Sequence, residues 1–351
     1  MVISYLLSAA FIFKNWFSII IIVRTMKTTL LNLLYSLPAA QLVAAHTAHY
    51  SNGTGTGQPV GQPVGGFSSV RAGHKQTPFP EWLTEFTGLK EWPGIDPPYI
   101  PMDFIDFSKI PNYKRYDQGV CGVNPRESCS FDCDRCLAPD DVYTCGQLSQ
   151  TFDDGPSLAT ERLLDSLNHK TTFFNLGINI VNFPDVYQKI LNGGHLVGTH
   201  TWSHPFMPSL TNEQIIAQLQ WSIWAMNATG HHVPKWFRPP YGAIDNRVRS
   251  ISRMFGLQAV LWDYDTFDWQ LLVEDQTLRT EEDIYRDVQD WKQAGNGLIL
   301  EHDGAFKTVH VGINVNKILG DDQLTVAECV GGIDYIRTFP PELKSRNAKV
   351  L

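Results

Sequence analysis

From Cys145 onward the chain alternates short apolar or β-rich runs with longer helical ones, and this limits the fold more than any other feature. Strands are expected at Leu148–Phe152, Thr171–Leu176, His195–Thr199, Trp236–Arg238, Ala259–Trp262, Gly297–Leu300 and Leu324–Val326. Helices are expected at Leu158–Asn168, Pro184–Leu191, Asn212–Asn227, Asn246–Phe255, Glu282–Ala294 and Val309–Leu319. A strand rejoins a parallel neighbour only through a crossover, normally a helix, so repeated alternation with short loops predicts a parallel α/β architecture. The strands either close into a barrel or lie in an open doubly wound sheet. No Gly-x-Gly-x-x-Gly follows the first strand, which disfavours a dinucleotide fold and any nucleotide cofactor.

Polar residues gather where these strands end, the edge at which barrels and open α/β sheets alike build their sites. The first strand ends in Thr151-Phe152-Asp153-Asp154-Gly155-Pro156, and the third in His200-Thr201-Trp202-Ser203-His204. The fourth ends in Arg238-Pro239-Pro240-Tyr241-Gly242, the fifth leads into Asp263 to Trp269, and the sixth ends in Glu301-His302-Asp303. Taken singly, each has an ordinary reading: a turn, a helix cap, a rigid Pro-Pro loop, a structural His. Taken together they bring Asp, His, Arg and Tyr to one rim. One carboxylate and two imidazoles form a three-ligand set for a divalent ion, with one position left open. A second carboxylate beside it can act as general base, and a His on the opposite wall as general acid. These parts suit hydrolysis of an amide or ester.

The motifs TFDDGP, HTWSH, RPPYG, the DTFDW run and LILEHD, in that order, resemble those of the polysaccharide deacetylase (NodB-homology) family, carbohydrate esterase family 4. The second-strand segment TTFFNLG is similar to that family's Thr-Phe-Phe strand, and the resemblance runs from roughly residue 144 to 339. The lead-in looks most like that of secreted fungal chitin deacetylases. The resemblance implies a distorted (β/α)7 barrel and metal-dependent removal of N-acetyl groups from GlcNAc residues of chitin or chitooligosaccharides, releasing acetate. Other acetylated glycans, such as acetylxylan or peptidoglycan, and a catalytically inactive glycan-binding protein are the alternatives. Carried over by position, Asp153 is the expected general base, oriented by Arg238. Asp154, His200 and His204 are the expected ligands of one metal ion, Zn2+ first and Co2+ as a substitute. His302 is the expected general acid, supported by Asp265 or Asp268. The Tyr241 backbone N–H is expected in the oxyanion hole, and Trp269 and Leu300 around the acetyl methyl. Trp202, Phe206, Trp236, Tyr264 and Trp269 flank the motifs as candidates for stacking on sugar rings, or as core.

The region before the alternation reads as export and tethering. Residues 1–25 are expected to be an upstream mis-start or an anchor, and a membrane is an expected partner only if residues 1–23 form a true anchor. Residues 26–45 have signal-peptide anatomy, with Lys27, an apolar stretch from Leu30 to Leu37, then Val43 and Ala45 before His46. A secreted product, extracellular or in the cell wall, follows. The Gly/Pro-rich run in 46–80 reads as a flexible tether, and 81–115 as an extended wrap. Residues 116–145 form a Cys-rich segment, 146–339 the deacetylase-like domain and 340–351 a tail. Export makes an even Cys count read as disulfides. Cys145 and Cys329 bracket the expected strands, so their union would tie the domain's ends together. Cys121, Cys129, Cys133 and Cys136 are left with three pairings, as a stapled lid or a glycan contact. Asn52 and Asn227 are glycosylation acceptors in secretory context. With 28 Lys plus Arg against 36 Asp plus Glu, the net charge of −8 argues against a nucleic-acid partner. A hydrophobic content of 43% excludes a wholly disordered chain.

Overall fold

All six residues of β1 (Leu148–Asp153) are buried, as expected of a central parallel strand covered on both faces. It is flanked by β2 (Thr172–Asn175) and β8 (Gly297–His302), with Thr151 opposite Thr172 on one side and Leu300 on the other. The computed structural model describes residues 75–273 and 279–339. The expected mis-start, signal peptide, the tether as far as residue 74, Asn52 and the 340–351 tail lie outside the described residues. Outward from β2 come β3 (Leu196–Thr199), β5 (Trp236–Phe237) and β6 (Gln258–Ala259); outward from β8 comes β7 (Tyr264–Asp265). All seven strands are parallel, and they form a curled half-barrel. Among the described residues no ladder joins β6 to β7, so the barrel is open at that seam. A separate antiparallel pair, β4 (His232–Pro234) with β9 (Tyr335–Thr338), lies outside this sheet.

The period-two rule for strands sorts the core. Phe173 points to the outer cluster with Phe152, Leu163, Trp221 and Val309. Its neighbour Phe174 points inward with Trp236, Val260 and Leu298. The outer layer is built from α3 (Leu158–Leu164), α4 (Gly177–Asn182), α5 (Pro184–Asn192), α6 (Asn212–Gly230), α7 (Asn246–Met254), α8 (Glu281–Ala294) and α9 (Phe306–Leu319). Reciprocal capping boxes start three of them: Ser157 with Thr160, Thr211 with Gln214 and Thr280 with Asp283. Asn227 lies near the end of α6, half-buried, and Thr229 of the same sequon is buried with its hydroxyl 2.9 Å from that of Thr77.

Two expectations are corrected. Leu324–Val326 is not a strand. Leu324 makes one backbone bond to Leu148, and Thr325 then caps the short helix α10 (Val326–Val330) in a box with Glu328. Val326 and Ala327 pack into the inner cluster, so α10 plugs the half-barrel beside the first residues of β1 and β2. The seventh strand is β7, inside a run that looked like a polar turn. The second correction concerns the wrap. Its first residues form helix α1 (Glu81–Thr87), introduced by Pro80 and stopped by Gly88 at φ 74°. The rest crosses α6, where Gln220 bonds both backbone groups of Ile100 and the Trp221 indole donates to Pro98.

Three disulfides join Cys121 to Cys133, Cys129 to Cys136 and Cys145 to Cys329. The third closes 184 residues and pins α10 to the start of β1, a loop long enough to stabilise by about 5 kcal/mol on chain-entropy grounds. The other two staple a segment carrying the short helix α2 (Phe131–Asp134). It docks through Phe131 N–H on the Ile244 carbonyl and through the buried Arg249, which donates to Asp141 and to the carbonyls of Cys129 and Cys136. Among the described residues no helix is long and apolar enough to cross a membrane.

Candidate active site

The C-terminal end of β1 delivers two adjacent carboxylates with different surroundings. Asp153 is buried, and its Oδ1 accepts from Arg238 at 2.8 Å. Burial pushes its pKa up to about 6, with the Arg238 charge pulling the other way. Arg238 is itself fully buried. Its guanidinium also donates to Thr151 Oγ1 at 2.7 Å and to the Leu261 carbonyl at 3.3 Å, and it lies 4.2 Å over the Phe174 ring. The bonds to Thr151 and Leu261 fix the guanidinium, which holds Asp153 by a single charge-assisted bond to Oδ1.

Asp154 turns away from Asp153 because its backbone is left-handed, φ 81°. Its Oδ1 lies 3.6 Å from His200 Nε2 and 3.4 Å from His204 Nε2. One donor atom from each of Asp154, His200 and His204 falls within 4.8 Å of the others. His200 donates from Nδ1 to the Arg238 carbonyl at 2.8 Å, which leaves the Nε2 lone pair facing Asp154. Asp154 Oδ1 and His204 Nδ1 are buried and lack hydrogen-bond partners among the described residues. Unpaired buried donors and acceptors cost free energy. An unpartnered carboxylate oxygen with two imidazole Nε2 atoms converging on it fits a divalent ion of the zinc type. Burial lowers the pKa of both His200 and His204, which keeps their rings neutral, the form that ligates.

His302, at the end of β8, faces this group. Its Nδ1 pairs with Asp268 Oδ1 at 2.6 Å, and its backbone N–H donates to Asp268 Oδ2 at 2.9 Å. Burial alone would lower its pKa, but Asp268 and the neighbouring carboxylates raise it to about 10. Asp268 is therefore the residue that holds His302. Asp265 instead accepts the N–H of Phe267 at 2.8 Å, a bond internal to its own turn.

Tyr241 sits in the rigid turn between Pro240 and Gly242 at φ 62°, with its ring 4.5 Å from that of His204. Leu300 is buried in β8, and Trp269 is half-buried in the turn that follows Asp268. Of the flanking aromatics, Trp202 and Trp236 are core residues, and Tyr264 stacks on Trp291 at 4.7 Å. Phe206 stays at the rim, 6.1 Å from Tyr241.

Sequence reasoning missed two features. Asp303 is buried, and its carboxylate accepts the Gly155 N–H at 2.8 Å and the Thr160 hydroxyl at 2.7 Å, locking the Asp154–Gly155 turn. A Cβ on Gly155 would sit 2.3 Å from that carboxylate, so glycine is required there. The other is backbone strain: Asp154, Thr201, His204 and Tyr241 are all non-glycine residues at positive φ. Each such residue costs about 1–3 kcal/mol, and that kind of cost concentrates at functional sites.

A sequence profile described as "Polysaccharide deacetylase" matches residues 142–260. Chitin deacetylase 2 of Saccharomyces cerevisiae is 66% identical over 264 residues, covering 75% of this chain and 84% of that protein. Chitin deacetylase 1 of the same yeast is 63% identical over 264 residues, covering 75% and 87%. The solved structure of the chitin deacetylase from Colletotrichum lindemuthianum is 27% identical, covering 55% of this chain and 92% of that one, with a TM-score of 0.49.

Proposed function

This chain belongs to the polysaccharide deacetylase family, carbohydrate esterase family 4, and from that premise we propose that it removes N-acetyl groups from GlcNAc residues of chitin or chitooligosaccharides. Water and the amide become acetate and the free amine. The observation that carries this reading is the convergence of His200 Nε2 and His204 Nε2 on Asp154 Oδ1, which lacks a hydrogen-bond partner among the described residues, between the buried carboxylate of Asp153 and the half-buried imidazole of His302. Asp154, His200 and His204 would hold the ion, zinc or in its place cobalt. When bound, it supplies Lewis-acid polarisation of the carbonyl and a lower pKa for water.

Asp153 takes the proton of the attacking water. Arg238 holds Asp153 Oδ1, so Oδ2, on the His200 side, is the oxygen left for that work. The Tyr241 N–H, set in its strained turn, donates to the oxygen that becomes negative as the carbonyl carbon turns tetrahedral. His302, kept protonated by Asp268, delivers its proton to the departing nitrogen. Trp269 and Leu300 enclose the acetyl methyl. The Cys-rich segment and residues 146–339 act as one secreted unit, extracellular or in the cell wall, and three disulfides suit that oxidising setting.

The test is acetate release from chitohexaose, acetylxylan and peptidoglycan, with EDTA and zinc add-back. Release from chitohexaose that is lost on chelation and restored by zinc is expected. Release from another glycan alone replaces the substrate and keeps the chemistry. No release from folded, zinc-loaded protein overturns the enzymatic reading in favour of glycan binding.

A further inference from the structure

We propose that the strap around Gly94 and Ile95 is a positioning element for the loop that carries His200 and His204, and that its grip sets how tightly this loop holds a metal ion. This rests on the metal reading above. The two imidazoles are oriented by different means. His200 is held by the Arg238 carbonyl, whereas His204 Nδ1 lacks a hydrogen-bond partner among the described residues. The aim of His204 is therefore set by its backbone together with ring contacts to Tyr241 and His200. That backbone is strained, with Thr201 at φ 72° and His204 at φ 66°, and persists only if its surroundings over-determine it.

The N–H groups of Gly177 and Ile178 hold the Thr201 and Trp202 carbonyls, the Thr201 hydroxyl accepts the His204 N–H, and the strap holds the side chains between. The Trp202 indole donates to the Gly94 carbonyl at 2.7 Å, and the Ser203 hydroxyl to the Ile95 carbonyl at 2.6 Å. The buried Gln218 of α6 completes the clamp. Its Oε1 accepts both Trp202 N–H at 3.1 Å and Ser203 N–H at 3.0 Å, and its Nε2 donates to Ser203 Oγ at 2.9 Å. Trp92 of the strap stacks against Trp202 at 6.1 Å. Farther along, the strap is anchored separately by Gln220 at Ile100. Two of the three residues between the ligands, Trp202 and Ser203, are thus tied to a segment more than a hundred positions away in sequence. Groups that orient metal ligands typically change affinity by about 10–100-fold when removed.

The experiment measures zinc affinity of the full chain by competition with a chromogenic chelator, together with the visible spectrum of the cobalt-loaded protein. Ser203→Ala is expected to weaken zinc about 10–100-fold and to change the cobalt spectrum, with little change in the Tm of the metal-free protein. Ser203→Thr, which keeps the hydroxyl, restores both. Gln220→Ala, which loosens the strap away from the loop, lowers Tm and leaves zinc affinity within about twofold, since it touches no group that orients a ligand. Wild-type affinity in Ser203→Ala overturns the proposal, and so does equal weakening in Gln220→Ala, which would mark general loosening. A wild-type protein that takes up neither ion overturns the metal reading, and the strap proposal with it.

Discussion

Two carboxylate–cation pairs flank the site, each on a buried Asp, and the proposed mechanism gives them opposite duties. Asp153 meets Arg238 at 2.8 Å, and Asp268 meets His302 at 2.6 Å. A guanidinium keeps its proton at any working pH, so in the first pair only the carboxylate can exchange one. In the second pair the cation is an imidazole, the side chain best suited to trading protons near neutrality. Burial raises Asp153 to about 6 even with Arg238 opposing it, and this favours a carboxylate able to accept. Burial disfavours charge on His302, yet Asp268 more than offsets this and the pKa rises to about 10. On the proposed mechanism the same contact would yield a base on one wall and an acid on the other, according to which partner holds the movable proton.

The strongest way to break this comparison is Asp153→Asn. The amide oxygen still accepts from Arg238, but no proton can be taken, and kcat should fall by about 10²–10⁴-fold with zinc affinity retained. A loss smaller than tenfold would remove Asp153 from the base role. Asp268→Asn comes next, with a loss of about 100-fold in kcat. His302 then keeps its burial and loses its counter-charge, so its pKa drops. The acid must be protonated to act, so the alkaline limb of the pH–rate profile moves to lower pH. An unmoved limb would show that Asp268 does not hold the acid. In stability terms the raised His302 contributes fully below about 6.5, its unfolded value, and loses that contribution as pH rises through about 10. Arg238→Lys probes the other pair. A lysine keeps the charge but loses the fork to Thr151 and Leu261. A fall of about tenfold in kcat, with little change in KM, is expected on losing one charge-assisted contact.

Much of the candidate site was legible because several of its residues sit at or just beyond a strand end. Asp153 ends β1 and Asp154 follows it, His200 follows β3 and His302 ends β8, so finding the strands found the rim. What stayed hidden depends on partners distant in sequence. β7 is only two residues long, too short to show periodicity, and it exists because Tyr264 and Asp265 lie beside Ile299 and Leu300 of β8. Leu324–Val326 looked like a strand from its apolar residues, although the Thr325 and Glu328 spacing of a capping box was there to read. Trp202 looked like a sugar platform beside the His motif, but the strap covers it through a bond spanning 108 positions. The positive φ at Asp154, Thr201, His204 and Tyr241 leaves no trace in sequence, because none of these residues is glycine.

The smallest expected effect is the sharpest check on the acid wall. Asp265 and Asp268 stand three positions apart in one motif, and sequence alone left the choice between them open. Geometry separates them: Asp268 grips both the Nδ1 and the backbone N–H of His302, whereas Asp265 bonds the Phe267 N–H and stabilises its own turn. Burial raises Asp265 to about 6, so it is still mostly ionised near neutral pH, but it contacts the acid wall through its own turn and not through a bond to His302. Asp265→Asn should therefore keep kcat within a few-fold and leave the alkaline limb of the pH–rate profile in place. The cost should appear as a modest drop in Tm from the weakened turn bond, about 1 kcal/mol in stability. A shifted alkaline limb in Asp265→Asn, matching that of Asp268→Asn, would mean that the two carboxylates hold His302 jointly, and the acid wall would no longer reduce to one pair.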